Sequence, residues 1–113
     1  MTQHVPILEA DEKSFAEVVV AASREKPVLV DFSAEWCSPC RAIEPVMHKI
    51  ADEMADRVTV VKVDADENMK LCGHYRLRGF PTVLLFLNGE ERARFSGFRP
   101  TPQVKEFIEE HLD

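Results

Sequence analysis

Cysteine is scarce in this chain, three among 113 residues, and the count is odd. Cys37 and Cys40 form a Cys-x-x-Cys pair and Cys72 stands alone. This excludes the disulfide framework of a small secreted scaffold and leaves too few thiols for a four-cysteine zinc site. Positive charge is short as well. Fourteen Lys and Arg against twenty Asp and Glu leave a net charge of −6, so the chain has no broad attraction for nucleic acid or an anionic membrane. Arg76, Arg78, Arg92, Arg94 and Arg99 read as a solvated face shared with Glu90 and Glu91 rather than as a basic patch. Long apolar runs are missing: Phe80 to Leu87 falls far short of the ~20 residues that a helix needs to cross a bilayer. Met1 to Pro6 shows no basic stretch leading into an apolar run, so no export signal is read there and the cytoplasm is the expected compartment. Repeats, low-complexity runs and linker-like stretches are absent, and residues 1–113 are expected to form one domain.

What is present is an ordinary globular composition, 45% apolar and 30% charged, long enough to build a core without staples. Phe15, Val18, Val19 and Ala22 recur at helical spacing, as do Ile43, Val46, Met47 and Ile50, with Met54 extending the stripe. Thr101-Pro102 reads as an N-cap and first-turn proline ahead of Val104, Phe107, Ile108 and Leu112. Residues 67–75 read as a short helix. Residues 28–32 and 58–63 are nearly continuous and β-branched, as strands covered on both faces should be. Residues 82–87 lead into Asn88-Gly89, a hairpin turn, and then residues 92–95. A short strand around residues 5–8 is weakly marked. The order β-α-β-α-β-α-β-β-α implies an α/β fold, a mixed sheet of five strands flanked by about four helices.

Cys37 and Cys40 follow a central strand directly and open an amphipathic helix. A helix N-terminus offers unpaired N–H groups and the positive end of the macrodipole, both of which favour a thiolate. Cys37, at the helix start, is the expected nucleophile. Cys40, one turn inside, can reach the same sulfur and resolve a mixed disulfide. Pro39 suits the first turn, where its missing N–H costs nothing. A zinc half-site would need two further ligands, and Cys72, His48 and His74 form no second knuckle. No metal is expected. Pro45 should kink the helix. Cys72 shares one face of its helix with Met69 and Tyr75, which suggests a buried structural thiol; a regulatory thiol is the alternative.

The segment Asp31-Phe32-Ser33-Ala34-Glu35-Trp36-Cys37-Ser38-Pro39-Cys40-Arg41 closely resembles the active-site segment of the thioredoxin family. Lys62-Val63-Asp64, Arg78-Gly79-Phe80-Pro81-Thr82, Asn88-Gly89-Glu90 and Gly97 extend the resemblance over nearly the whole chain. It implies the thioredoxin fold and adds roles that spacing does not supply. Asp31 would be a buried carboxylate relaying a proton to or from Cys40, and Lys62 would lie near Asp31 and tune it. Pro81 would follow a cis peptide bond and face the sulfurs. Trp36, Ser38, Pro39, Gly79, Phe80, Pro81, Gly97 and Phe98 would line the groove that receives the substrate. Ser38 stands where most thioredoxins have Gly, Ser33 where an aromatic is common, and Phe98 is bulkier than usual. None of these removes a group that the chemistry needs.

The expected function is reduction of disulfides in other proteins through a reversible Cys37–Cys40 dithiol. A thioredoxin reductase, a flavoprotein fed by NADPH or ferredoxin, would recycle it, and the domain itself would hold no cofactor. The expected partners are disulfide-containing proteins, with no nucleic acid and no membrane, and the chain is expected to be a monomer. Two rivals are an oxidant or isomerase, against which Pro39 argues, and a binding module built on the same fold.

Overall fold

The computed structural model describes residues 4–112. Residues 1–3, part of the stretch read for an export signal, and residue 113 lie outside them. Strands β1 (Leu8–Glu9), β2 (Val28–Ser33), β3 (Thr59–Asp64), β4 (Thr82–Leu87) and β5 (Glu90–Ser96) form one sheet in the order β1-β3-β2-β4-β5. β1 and β2 run parallel to β3, whereas β4 runs antiparallel to both β2 and β5. This is the mixed α/β sheet that the patterns imply. The first strand lies at Leu8–Glu9 rather than residues 5–8, a two-residue edge with little periodic signal to mark it.

Helices α1 (Ser38–Glu53), α2 (Met69–His74) and α3 (Thr101–Leu112) cover the sheet together with an irregular helical segment, a π-helical stretch Ala16–Ala21 running into a 3-10 turn Ala22–Arg24. The spacing of Phe15, Val18, Val19 and Ala22 is helical. Three consecutive valines are poor α-helix formers because each is stiff at χ1, and the Ala22 N–H reaches back to the Glu17 carbonyl. Asp11 and Ser14 cap the segment reciprocally: the Ser14 N–H donates to Asp11 Oδ1 at 2.8 Å and the Asp11 N–H to Ser14 Oγ at 3.0 Å.

β2 occupies the sheet centre and is buried throughout. Its side chains alternate between two cores. Leu29 packs with Ile43, Met47 and Ile50 of α1 and Val104 and Ile108 of α3. Val28, Val30 and Phe32 pack on the opposite face with Phe15, Val19 and Tyr75. Asp31 and Ser33 therefore share the face covered by α1. At the β4–β5 hairpin, Asn88 and Gly89 have φ of 53° and 85°, the pair of positive values that a tight two-residue turn requires. α3 begins at Thr101 itself, with the Pro100 carbonyl accepting the Gln103 and Val104 N–H groups. The cap position thus falls one residue earlier than the Thr-Pro signal suggests. Pro45 lies inside α1, which continues past it to Glu53. Arg94 pairs with Glu91, and the Arg99 guanidinium stacks 4.4 Å from the Phe95 ring.

Candidate active site

The chain leaves the end of β2, turns through residues 34–36 and enters α1 at Ser38. Cys37 is the N-cap, extended at φ −94° and ψ 114°, and its Sγ accepts the Cys40 N–H at 3.3 Å. Pro39 sits in the first turn. The sequence starts a helix here because a sulfur acceptor, a proline without an N–H and an apolar stripe from Cys40 through Ile43 follow in that order.

Cys37 and Cys40 are joined as a disulfide, with their Cα atoms 5.2 Å apart. Cys37 Sγ lies 3.4 Å from the Phe80 carbonyl oxygen, within reach of a thiol donor when the pair is reduced. Phe80–Pro81 is a cis peptide, and Pro81 is buried. The Gly97 N–H donates to the Pro81 carbonyl at 2.8 Å, which joins the start of β4 to the end of β5 beside the sulfurs. Trp36 is 65% exposed, stands edge-on to Phe80 at 6.3 Å and donates from Nε1 to the Asp66 carboxylate at 3.0 Å. Phe98 is 48% exposed. Gly79 and Gly97 are partly buried. Beside the disulfide lie the aromatic side chains of Trp36 and Phe80, and Cys37 itself is 6% exposed.

Ser38 is exposed, and its hydroxyl accepts from Arg41 Nη2 at 3.3 Å. Arg41 also donates to the Glu35 carbonyl, which braces the turn into α1. Asp31 is 3% exposed. Burial pushes its carboxyl up to about 6, against the Ser33 hydroxyl and the Lys62 charge, which both favour the ionised form, while the Glu44 charge opposes it. Lys62 stands opposite Asp31 in the β2–β3 register, and its Nζ lies 3.5 Å from Glu44 Oε1. It therefore answers to two carboxylates rather than to Asp31 alone. Three contributors escape sequence reading. Ser33 donates to Asp31 Oδ1 at 2.7 Å, a pairing that the two-residue period of a strand could have suggested. Glu44 lies one helical turn beyond Cys40, on the side of α1 facing Lys62. Asp66 anchors Trp36 across a sequence distance that no local pattern reveals.

Cys72 is half-buried beside Ala34, Ala65 and the cysteine pair. Its Sγ lies 3.7 Å from the Ala65 carbonyl, and burial raises its thiol above the ordinary range. Tyr75 shares its buried face. Met69, placed there by spacing, is 71% exposed, at the first position of six-residue α2. No helix among the described residues is long and apolar enough to cross a membrane.

The family model for thioredoxin matches residues 6–110. A thioredoxin from Acidithiobacillus ferridurans is 44% identical over 106 residues, 94% of this chain and 96% of its own. One from Bacillus subtilis (strain 168) is 38% identical over 106 residues, 94% of this chain and 98% of its own. A chloroplastic M-type thioredoxin from Zea mays is 37% identical over 106 residues, covering 94% of this chain and 62% of its own. Together with the close Cys37–Cys40 pair, this makes the chain a thiol–disulfide oxidoreductase, a disulfide reductase that acts on disulfide substrates and is paired with a reductase. A mixed five-stranded sheet, a disulfide at the first turn of α1 and likeness over nearly the full length converge: the chain belongs to the thioredoxin family.

Proposed function

We propose that this chain is a general electron carrier that reduces disulfides in cytoplasmic proteins, working as a monomeric single domain recycled by a flavoprotein reductase. The supporting observation is the placement of Cys37 at the N-cap of α1, where the Cys40 N–H points at its sulfur. A thiolate there is favoured by that donor and by the helix dipole. The Cys37 thiolate attacks one sulfur of a target disulfide; a mixed disulfide forms and the other target sulfur leaves as a thiolate. Cys40 gives its proton toward Asp31 and attacks Cys37 Sγ. The second target thiolate departs, and the pair is left oxidised by two electrons. Asp31 suits this role because burial holds its carboxyl near the operating pH, to about 6, where a base both exists and accepts a proton. Lys62, in charge balance between Asp31 and Glu44, tunes that acceptor. Trp36, Ser38, Pro39, Gly79, Phe80, Pro81, Gly97 and Phe98 form the groove, in which the aromatic surfaces shelter an extended target segment.

Insulin reduction followed by turbidity, with NADPH and a thioredoxin reductase, tests this reading. The wild type is expected to precipitate insulin B chain, and Cys37→Ser to give none. A wild type inactive with the reductase and also inactive with dithiothreitol would overturn it.

A further inference from the structure

Two hollows meet the α1 face of β2 near its end. One, of about 440 Å³, is lined by Ser33, Cys40, Glu44 and Lys62 among others. The second, of about 220 Å³, is lined by Asp31 with Glu44, His48 and Lys62. Among the described residues, the hollow onto which Cys40 opens takes Ser33 but not Asp31 in its wall. Glu9, Glu44 and Lys62 line both hollows, but Ser33 is the residue of the Cys40 hollow that is hydrogen-bonded to Asp31, donating its only O–H to Oδ1 at 2.7 Å. Its lone pairs are left to accept. The residue is 6% exposed, so bulk solvent has little access to it.

We propose that Ser33 takes part in the resolving step, as the hydroxyl through which the Cys40 proton reaches Asp31. The inference rests on Asp31 being the acceptor in the mechanism above. As Cys40 attacks Cys37 Sγ, the Cys40 S–H proton passes to Ser33 Oγ while the Ser33 hydroxyl proton passes to Asp31 Oδ1. Ser33 ends the step with one proton, as it began; Cys40 has lost one and Asp31 has gained one. The direction of the hydrogen bond already matches, because Ser33 donates to the carboxylate rather than accepting from it. The groups that face Asp31 are Ser33 on its own strand, Lys62 on β3, Glu44 and His48 on α1, and Glu9 on β1. Of these, only Ser33 holds the carboxylate by a hydrogen bond among the described residues.

The experiment mixes reduced protein with 5,5′-dithiobis(2-nitrobenzoate) in a Cys72→Ser background that leaves the pair alone to react. The first thionitrobenzoate released reports attack by Cys37, and the second reports resolution by Cys40. Carbon-13 NMR of the Asp31 carboxyl, recorded across pH, gives the ionised fraction for the wild type, Ser33→Ala and Ser33→Thr. Loss of the hydrogen bond should raise the Asp31 midpoint in Ser33→Ala by about one pH unit. The resolution rate per ionised Asp31 should fall about tenfold, with the first phase unchanged. Ser33→Thr, which keeps the hydroxyl, should restore both. An unchanged rate per ionised Asp31 in Ser33→Ala would overturn the proposal even if the midpoint moves, since Ser33 would then only set the charge. Asp31→Asn separates the underlying reading: wild-type resolution in that variant would remove Asp31 as the acceptor, whatever Ser33→Ala does.

Discussion

At Cys37 and Cys40 the division of labour follows from burial and hydrogen bonding. Both sulfurs are largely covered, but Cys37 holds the N-cap position and receives the Cys40 N–H. Cys40→Ser should therefore attack an oxidised target and stop there. Mass spectrometry should find the adduct on Cys37; an adduct on Cys72 alone would refute the assignment. Asp31 illustrates the cost of keeping a carboxylate inside. Its carboxyl is raised from 3.8 to about 6 in the folded chain. Below about pH 4 both states hold the proton and the group costs nothing through ionisation. As pH rises the unfolded chain ionises first, so stability falls until the folded state ionises as well. Above that the penalty is complete, about 3 kcal/mol. Asp31→Ala should accordingly stabilise the fold by up to about 3 kcal/mol near pH 7.5, less the packing that the side chain supplies, and by little near pH 4. Urea unfolding at the two values checks this. A gain of equal size at both would show that ionisation is not the cause.

Among the elements, the β4–β5 hairpin shows how a local signal and a distant contact share one task. Asn88-Gly89 makes the turn, and the first helical segment receives it. The Asn88 N–H donates to the Ser23 carbonyl at 2.9 Å, and the Gly89 N–H to Ser23 Oγ at 2.9 Å. Gly89 has φ of 85°, and a Cβ there would come within 2.9 Å of Arg24 Nε. Arg24 can swing its guanidinium aside, so the lasting cost is the left-handed backbone. Gly89→Ala should lose about 1–2 kcal/mol with insulin reduction unchanged, because the turn lies at the far end of β4 from Pro81. Denaturant midpoints together with turnover measure both. Loss of activity in step with stability would place the hairpin in the working surface. The Ser38 hydroxyl likewise has a partner within its own element. It accepts from Arg41, three residues along the same helix face.

Across the whole molecule, the sheet separates two cores that do not share side chains. Leu84 belongs to the core under the first helical segment and α2, and Ile108 to the core under α1 and α3. Leu84→Ala should cost about 2–5 kcal/mol and Ile108→Val about 0.5–1.5 kcal/mol. With the sheet between them, the two losses should add to within about 0.5 kcal/mol. Urea titration of both single variants and of the double variant reads this, with one cooperative transition expected in each. A coupling well above that value would mean that the sheet transmits packing changes from one face to the other.

The sequence by itself determined the strand and helix order, the Asn88-Gly89 hairpin and the redox pair at a helix start, because each is written in local periodicity or turn chemistry. Full coverage of β2 was legible in its apolar run, and the cis peptide at Pro81 in a motif carried by resemblance. The irregular first helix was not, since apolar spacing reports which residues are buried and not which carbonyl each N–H selects. Met69 was misplaced because a six-residue helix is too short for its period to bind every position to one face. The link from Ser33 to Asp31, the counter-charge of Glu44 on Lys62 and the anchoring of Trp36 by Asp66 belong to tertiary structure alone. Ionisation and hydrogen bonding in a buried site depend on which groups meet across strands and helices, and a linear pattern carries the faces but not those meetings.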